Sequence, residues 1–181
     1  MTTAVFSELK EELQKGVTEY GHPFRLGTLG TVGLDKMARL RTVVLRDFSE
    51  DLELSFFTDK RSKKVTHIIE NPKVSILLYH PEKRIQLKIE GNAFIIKNDK
   101  KIAKYWDQVN DNAKKDYTTT IAPGSAIENL KDIDYLNDEN HFCIITIEAH
   151  KIEYLKLDQP NHIKIRYSRE DNYWKGEFLV P

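Results

Sequence analysis

A single cysteine, Cys143, in 181 residues leaves no partner for an intrachain disulfide and no cysteine-rich zinc site. Its neighbours Phe142, Ile144 and Ile145 mark it as core, because an unpaired cysteine behaves as a small hydrophobe. An excess of one charge is missing too: 28 lysines and arginines stand against 28 aspartates and glutamates. A dedicated nucleic-acid binder carries a basic surplus, so no nucleic acid is expected as partner. No apolar run approaches the ~18 residues of a membrane span. The start Met1-Thr2-Thr3-Ala4-Val5 lacks the basic-then-apolar order of a secretion signal. No membrane association is expected, and the cytoplasm is the expected compartment. Internal repeats and low-complexity linkers are also absent, so residues 1–181 read as one domain.

Catalytic signatures are scarce as well. There is no Gly-x-Ser-x-Gly elbow, and no nucleophile is apparent. Gly27, Gly30 and Gly33 sit on a strand-like segment rather than before a helix, so they make no dinucleotide fingerprint. His22, His67, His80, His141 and His150 show no ligand spacing, and no metal site is expected.

What is present is β periodicity. Helical spacing of Val5, Phe6, Leu9, Leu13 and Val17 predicts one amphipathic helix over about 5–19, closed by Gly21 and Pro23. Strands are expected over 24–32, 40–45, 52–58, 73–79 and 84–96, the last bent or bulged at Gly91. A short helix from Ser62 to about Glu70 should turn Val65, Ile68 and Ile69 inward. A further helix over 99–110 puts Ile102, Trp106 and Val109 on one face, and 111–140 reads as loop with short helices. The C-terminal 141–181 holds strand candidates at 142–147, 152–157, 162–168 and 173–180. Strands this frequent, with little helix between them, predict an antiparallel barrel rather than a parallel sheet.

Three segments carry chemistry. In Phe57-Thr58-Asp59-Lys60-Arg61-Ser62-Lys63-Lys64 a strand ends and a helix begins among cations. A helix start already carries the positive end of a dipole, so cations there are either a solvated basic turn or part of a phosphate site. In Arg41-Thr42-Val43-Val44-Leu45-Arg46 two arginines flank an apolar strand. They fall on opposite faces of a regular strand, and serve one ligand only through a bulge or a site at the strand end. The backbone of Thr42 to Leu45 could meet a planar heterocycle edge-on. In Arg84 to Gly91, Ile85, Leu87 and Ile89 share one side, and Gln86 the other; Gln86 is either surface or an amide suited to a flavin edge.

Taken in order, these segments resemble the pyridoxamine 5′-phosphate oxidase family, and most closely a little-characterised branch of it. The shared features are His22-Pro23-Phe24-Arg25, Arg41-Thr42-Val43-Val44-Leu45-Arg46, Thr58-Asp59 with Arg61-Ser62, Gln86-Leu87 and Pro123-Gly124-Ser125. The resemblance implies a mainly β fold, an FMN-binding split β-barrel of Greek-key type with a few peripheral helices. It also implies a homodimer with FMN at the subunit interface. Arg41, Thr42, Val43, Val44, Leu45 and Arg46 would line flavin and phosphate, flanked by Phe57 and Thr58. Lys63 and Lys64 would bind the phosphate with Arg61 and Ser62 nearby, and Gln86 would meet the isoalloxazine ring.

The C-terminus departs from the family. Leu155 stands where a tryptophan would touch FMN, and His162 and Lys164 fall where the oxidase uses arginine and histidine for its substrate's phosphate; Arg166 keeps the last arginine. His162, Lys164 and Arg166 should share the face opposite Ile163, Ile165 and Tyr167. The expected function is an FMN-dependent oxidoreductase acting on a small molecule other than pyridoxal phosphate, held at His162 and Lys164. Two other readings stay open here: a non-catalytic flavin carrier or sensor, and a barrel that has lost FMN and serves as a dimeric binding module.

Overall fold

The computed structural model describes residues 1–181. Eight antiparallel strands form one sheet, in the spatial order β3-β2-β1-β4-β5-β6-β7-β8, and β3 pairs with β6 to close the first six into a barrel. They are β1 (Leu26–Val32), β2 (Ala38–Phe48), β3 (Glu53–Asp59), β4 (Lys73–His80), β5 (Ile85–Ile95), β6 (Phe142–Lys156), β7 (Ile163–Glu170) and β8 (Tyr173–Leu179). Four helices lie outside: α1 (Thr2–Thr18), α2 (Lys63–Glu70), α3 (Asp99–Gln108) and the short α4 (Asp111–Lys114). None is long and apolar enough to cross a membrane. The antiparallel barrel expected from strand frequency is thus what forms.

Two expected strands, 142–147 and 152–157, are one. β6 runs 15 residues, its first part on β3 and its last on β7. The polar stretch between the two apolar runs is a bulge, not a turn. Along β5–β6 the pairing passes from Glu90↔Lys151 to Gly91↔Ala149, leaving His150 as the extra residue. A side chain at Gly91 would put its Cβ 2.3 Å from the Glu148 carbonyl oxygen, so only glycine permits this approach. The irregularity expected at Gly91 is real, with the extra residue on the partner strand.

Inward residues of the barrel, among them Leu29, Leu45, Phe56, Ile76, Leu87 and Ile147, form the main core, which α1 covers with Leu9 and Leu13. A second small core of Tyr117, Phe142 and Ile144 is closed by Ile102, Trp106 and Val109 of the α3 segment, the face expected of that helix. In α2, Val65 and Ile68 are buried, but Ile69 is 68% exposed and His67 is buried instead. The helix is rotated so that its inner arc runs through Lys64, His67 and Ile68. That rotation brings a lysine to the barrel wall.

Candidate functional site

The junction of β3 and α2 gathers most of the basic turn. Asp59, buried at the end of β3, accepts from the Arg61 backbone N–H (2.7 Å) and from its Nε (3.1 Å) and Nη2 (2.7 Å). The same guanidinium donates to the Thr119 and Thr120 carbonyls at 2.8 and 3.1 Å. Arg61 is therefore occupied by its own carboxylate and by a distant loop. Ser62 occupies the N-cap position, yet its hydroxyl makes no capping bond; it faces Thr58 Oγ1 at 3.3 Å. Lys64 Nζ donates to Thr58 Oγ1 at 2.8 Å and to Ser62 Oγ at 3.3 Å. Lys63 is exposed in the first helical turn.

Arg41 comes to the same place. Its Nη1 donates to the Leu29 carbonyl (3.1 Å) and to Thr31 Oγ1 (2.8 Å), and Thr31 Oγ1 also meets His67 Nδ1 at 3.0 Å. Burial, reinforced by Arg41 and only partly opposed by Asp59, holds the Lys64 ammonium below its usual pKa. Burial does the same to Arg41, and burial with Arg41 lowers His67. Two cations thus face neutral oxygens at a helix start, while the nearest carboxylate is taken by Arg61. Partly buried positive charge bonded only to neutral acceptors is incomplete, and the Lys63 and Lys64 N–H groups of the first turn add donors without helical acceptors. This arrangement fits a phosphate.

On β2 the ladder slips between Leu45 and Asp47, where Leu45 opposes Phe56 and Asp47 opposes Ser55. Arg46 is the bulged residue. Its guanidinium lies 5.5 Å from the centre of the Phe57 ring, its Nε is buried with no hydrogen-bond partner, and burial together with Arg25 lowers its pKa. Asp47 accepts from Tyr105 of α3, and Tyr105 packs edge-on against Phe57 at 5.4 Å. Beside Arg46 lies a hollow of about 440 Å³, lined by Tyr20, His22, Pro23, Arg25, Leu26 and Val44. Val43 and Leu45 face the core, so only the outward Thr42 and Val44 could offer side chains to a ligand. From Ala38 to Val44, β2 pairs with β1 but has no partner on its β3 side. That stretch of edge leaves peptide groups free for a planar ligand.

Gln86 lies farther round the same outer sheet face that carries Thr42 and Val44. Across the outer sheet face a row runs Tyr79, Gln86, Leu155, Lys164, Leu179. Gln86 and Lys164 therefore share a face, two strands apart, with Leu26, Leu40, Leu77 and Tyr79 exposed beside them. Arg166 is on that face too, but donates to Glu177 at 2.8 and 3.0 Å. His162 is not on the strand: it lies in the preceding turn, where its Nδ1 accepts from the Asp158 N–H at 3.2 Å. One chain thus brings Arg41, Thr58, Ser62 and Lys64 together, and Arg46 with Phe57, but not these with Gln86, His162, Lys164 or Arg166. Thr31, Arg25, Asp47 and Tyr105 escaped sequence reasoning. Only Arg25 carried a signal there, as the end of the His22-Pro23-Phe24-Arg25 motif.

Residues 5–97 match the family described as pyridoxamine 5′-phosphate oxidase, FMN-binding domain. The pyridoxine/pyridoxamine 5′-phosphate oxidase of Wolbachia pipientis is 30% identical over 175 residues, covering 85% of this chain and 77% of that protein. The enzyme of the same name from Christiangramia forsetii is 34% identical over 171 residues, with the same coverage of 85% and 77%. Among solved structures, a pyridoxamine 5′-phosphate oxidase-related, FMN-binding protein from Nostoc punctiforme superposes with a TM-score of 0.80. It is 23% identical, with 97% of this chain and 96% of that chain covered. PhzG from Burkholderia lata, solved in complex with tetrahydrophenazine-1-carboxylic acid, also gives 0.80, at 21% identity and coverage of 97% and 92%. These two likenesses speak for the fold.

Proposed function

The chain belongs to the pyridoxamine 5′-phosphate oxidase family of FMN-binding domains, and on that premise we propose that it is an FMN-dependent oxidoreductase acting on a small acidic molecule. The observation that carries this reading is the pair Arg41 and Lys64, half-buried cations at a helix start whose hydrogen bonds go only to neutral oxygens. They hold the FMN phosphate together with Thr58, Ser62 and the backbone N–H groups of Lys63 and Lys64, and the exposed Lys63 side chain adds charge. Arg61 serves indirectly, by tying the Thr119–Thr120 loop beside the cradle. The free edge of β2 at Thr42 to Val44 and the ring of Phe57 form the wall against which the heterocycle lies. When bound, FMN supplies the hydride or electron-pair chemistry; the chain supplies position, charge and exclusion of water. Arg46, with a buried guanidinium nitrogen that has no partner, provides a second cation for the acidic group of the substrate.

A single chain leaves this wall open, and the outer face with Leu26, Leu40, Leu77 and Tyr79 exposed is the surface that a second copy would cover. In that homodimer Gln86 and Lys164 reach the interfacial FMN or its substrate from the partner. Arg166 joins them only on leaving Glu177, and His162 contributes by shaping the turn before β7. Titration of the apoprotein with FMN and riboflavin tests the phosphate cradle; equal affinities remove it. Anaerobic bleaching of the bound flavin by candidate acidic donors, followed by turnover in air, tests the activity. Bleaching without turnover would make the protein an electron carrier instead.

A further inference from the structure

Glu12 points from the middle of α1 into a place that the proposed chemistry does not use. It is 2% exposed, and its Oε1 accepts from Lys83 at 2.7 Å and Lys15 at 3.0 Å. Oε2 has no hydrogen-bond partner. It faces Nε2 of His22 at 3.4 Å and Nε2 of His80 at 3.7 Å, and the two imidazoles meet edge-on at 5.4 Å. Four segments converge here: α1, the 19–25 turn, the end of β4 and the turn after it. Their contact is close, since a Cβ on Gly16 of α1 would lie 2.9 Å from the Phe24 carbonyl.

A carboxylate and two imidazoles at this spacing are a conceivable metal donor set. The rings are in the wrong tautomer for it. A metal needs a bare nitrogen, with the hydrogen on the other ring nitrogen donating outward. Here both Nδ1 atoms accept, from the Phe24 N–H at 3.2 Å and from the Lys83 N–H at 3.3 Å. Each neutral ring therefore carries its hydrogen on Nε2, the ring nitrogen nearest Glu12 Oε2. Two ammonium groups already flank that carboxylate, which opposes a third positive centre.

The same geometry makes the cluster intolerant of protons. A second proton on His80 must go onto Nδ1, where the Lys83 N–H already points. We propose that His80, packed against Glu12 and His22, is the proton-sensitive member of a latch, which holds α1 and the 19–25 turn on the barrel at neutral pH and releases them in mild acid. Release loosens Tyr20, His22 and Arg25, which line the hollow beside Arg46, whatever that hollow binds.

The charged surroundings are mixed in sign. Lys15, with Glu11 and Glu19 near it, and Lys83 flank the carboxylate, Glu82 faces His80, Tyr154 is within reach of Glu12, and Arg25 is tied to the Val17 carbonyl. Burial lowers the His80 pKa, Glu12 and Glu82 oppose this, His22 and Lys83 reinforce it, and the net shift is downward. A histidine whose folded pKa is lowered favours the folded state less as pH falls through its unfolded value of ~6.5. Burial alone would raise the Glu12 pKa, but Lys83 and Lys15 outweigh it and bring it to about 2. Its contribution is lost only below an unfolded value of ~4.3, outside the histidine window.

Amide hydrogen exchange on the full-length FMN-loaded protein tests this between pH 7.5 and 5, after correction for intrinsic rates. Linkage raises the opening equilibrium by up to about tenfold per pH unit for a histidine protonated only in the open form. Protection of residues 2–25 is expected to fall roughly fivefold from pH 6.5 to 5.5, while β5 stays constant. Glutamine keeps an N–H donor and does not titrate, so His80→Gln is expected to abolish the slope. The His22→Gln variant, which retains the His80 imidazole, is expected to keep it. A flat wild-type profile would overturn the latch, as would an unchanged slope in His80→Gln. Added Zn²⁺ that protected residues 2–25 in wild type but not in the variants would also overturn it, by making the cluster a metal site.

Discussion

Replacing Lys64 by methionine separates the demands of the fold from those of the ligand. In the chain alone, Nζ has only the Thr58 and Ser62 hydroxyls, at 2.8 and 3.3 Å, and burial with Arg41 nearby keeps its pKa below the ordinary lysine value. A lysine lowered in this way is charged less readily in the folded state than in the unfolded one, so at neutral pH its charge disfavours folding. Removing it is expected to leave the apoprotein melting temperature unchanged or raised. A phosphate changes the sign, because an ammonium–phosphate hydrogen bond is worth about 1.5–3 kcal/mol. The dissociation constant for FMN should therefore rise roughly 10- to 150-fold, while that for riboflavin, which has no phosphate, should stay constant. Flavin fluorescence titrations at fixed ionic strength, with thermal melts of both apoproteins, supply the numbers. Equal losses for the two flavins would refute the phosphate cradle. A fall in the apoprotein melting temperature beyond ~4 °C, about 1 kcal/mol for a chain this size, would make Lys64 structural.

Gly91→Ala is expected to cost about 2 kcal/mol or more in urea unfolding, because its Cβ would meet backbone rather than a yielding side chain, 2.3 Å from the Glu148 oxygen; unchanged stability would show that the bulge relaxes. Leu77→Asp, on the exposed outer face, should leave circular dichroism intact and shift light scattering to the monomer mass; an unchanged mass would place the dimer surface elsewhere. Cys143 should resist thiol reagents at pH 8 in the native state, since burial pushes its thiol up to about 11 and the thiolate is the reactive form; rapid native labelling would contradict this.

Much of the fold was legible because strand parity is a local property. The alternation of Ile163, Ile165 and Tyr167 in β7 places Ile165 and Tyr167 in the core, and the lone glycine in β5 marks the irregularity in its pairing with β6. Other features depend on partners remote in sequence. The gap between two apolar runs in β6 looks like a turn until β5 is laid beside it. Ile69 and His67 exchange places because Thr31, on β1, meets the imidazole. Arg61 reads as a free cation, since Asp59 is two residues away but the Thr119 and Thr120 carbonyls are almost sixty. Arg166 is similar, its Glu177 partner lying across the β7–β8 hairpin. Cation identity was readable in each case; which cations remain free for a ligand is a tertiary property.

That distinction bears on how one strand could serve two anions. Arg41 and Arg46 differ in parity, and a regular β2 would keep them on opposite faces. The bulge at Arg46 does not reverse this: Val43 and Leu45 stay in the core, Arg41 turns to Thr31 and Leu29, and Arg46 turns to Phe57. What the bulge changes is the environment of Arg46. The extra residue turns Asp47 to Tyr105, and no ion pair forms between this carboxylate and the Arg46 guanidinium. The two arginines therefore keep separate free charges at opposite faces of the same strand, with the unpaired β2 edge between them. In the proposed assignment one charge holds the phosphate of FMN and the other the acidic group of the substrate, and the flavin occupies the edge. Arg46→Met should then weaken the steady-state affinity for the acidic donor, with little effect on FMN binding. Arg41→Met should do the reverse. Equal effects of both substitutions on both ligands would mean that the two cations serve one anion, and that β2 does not divide them.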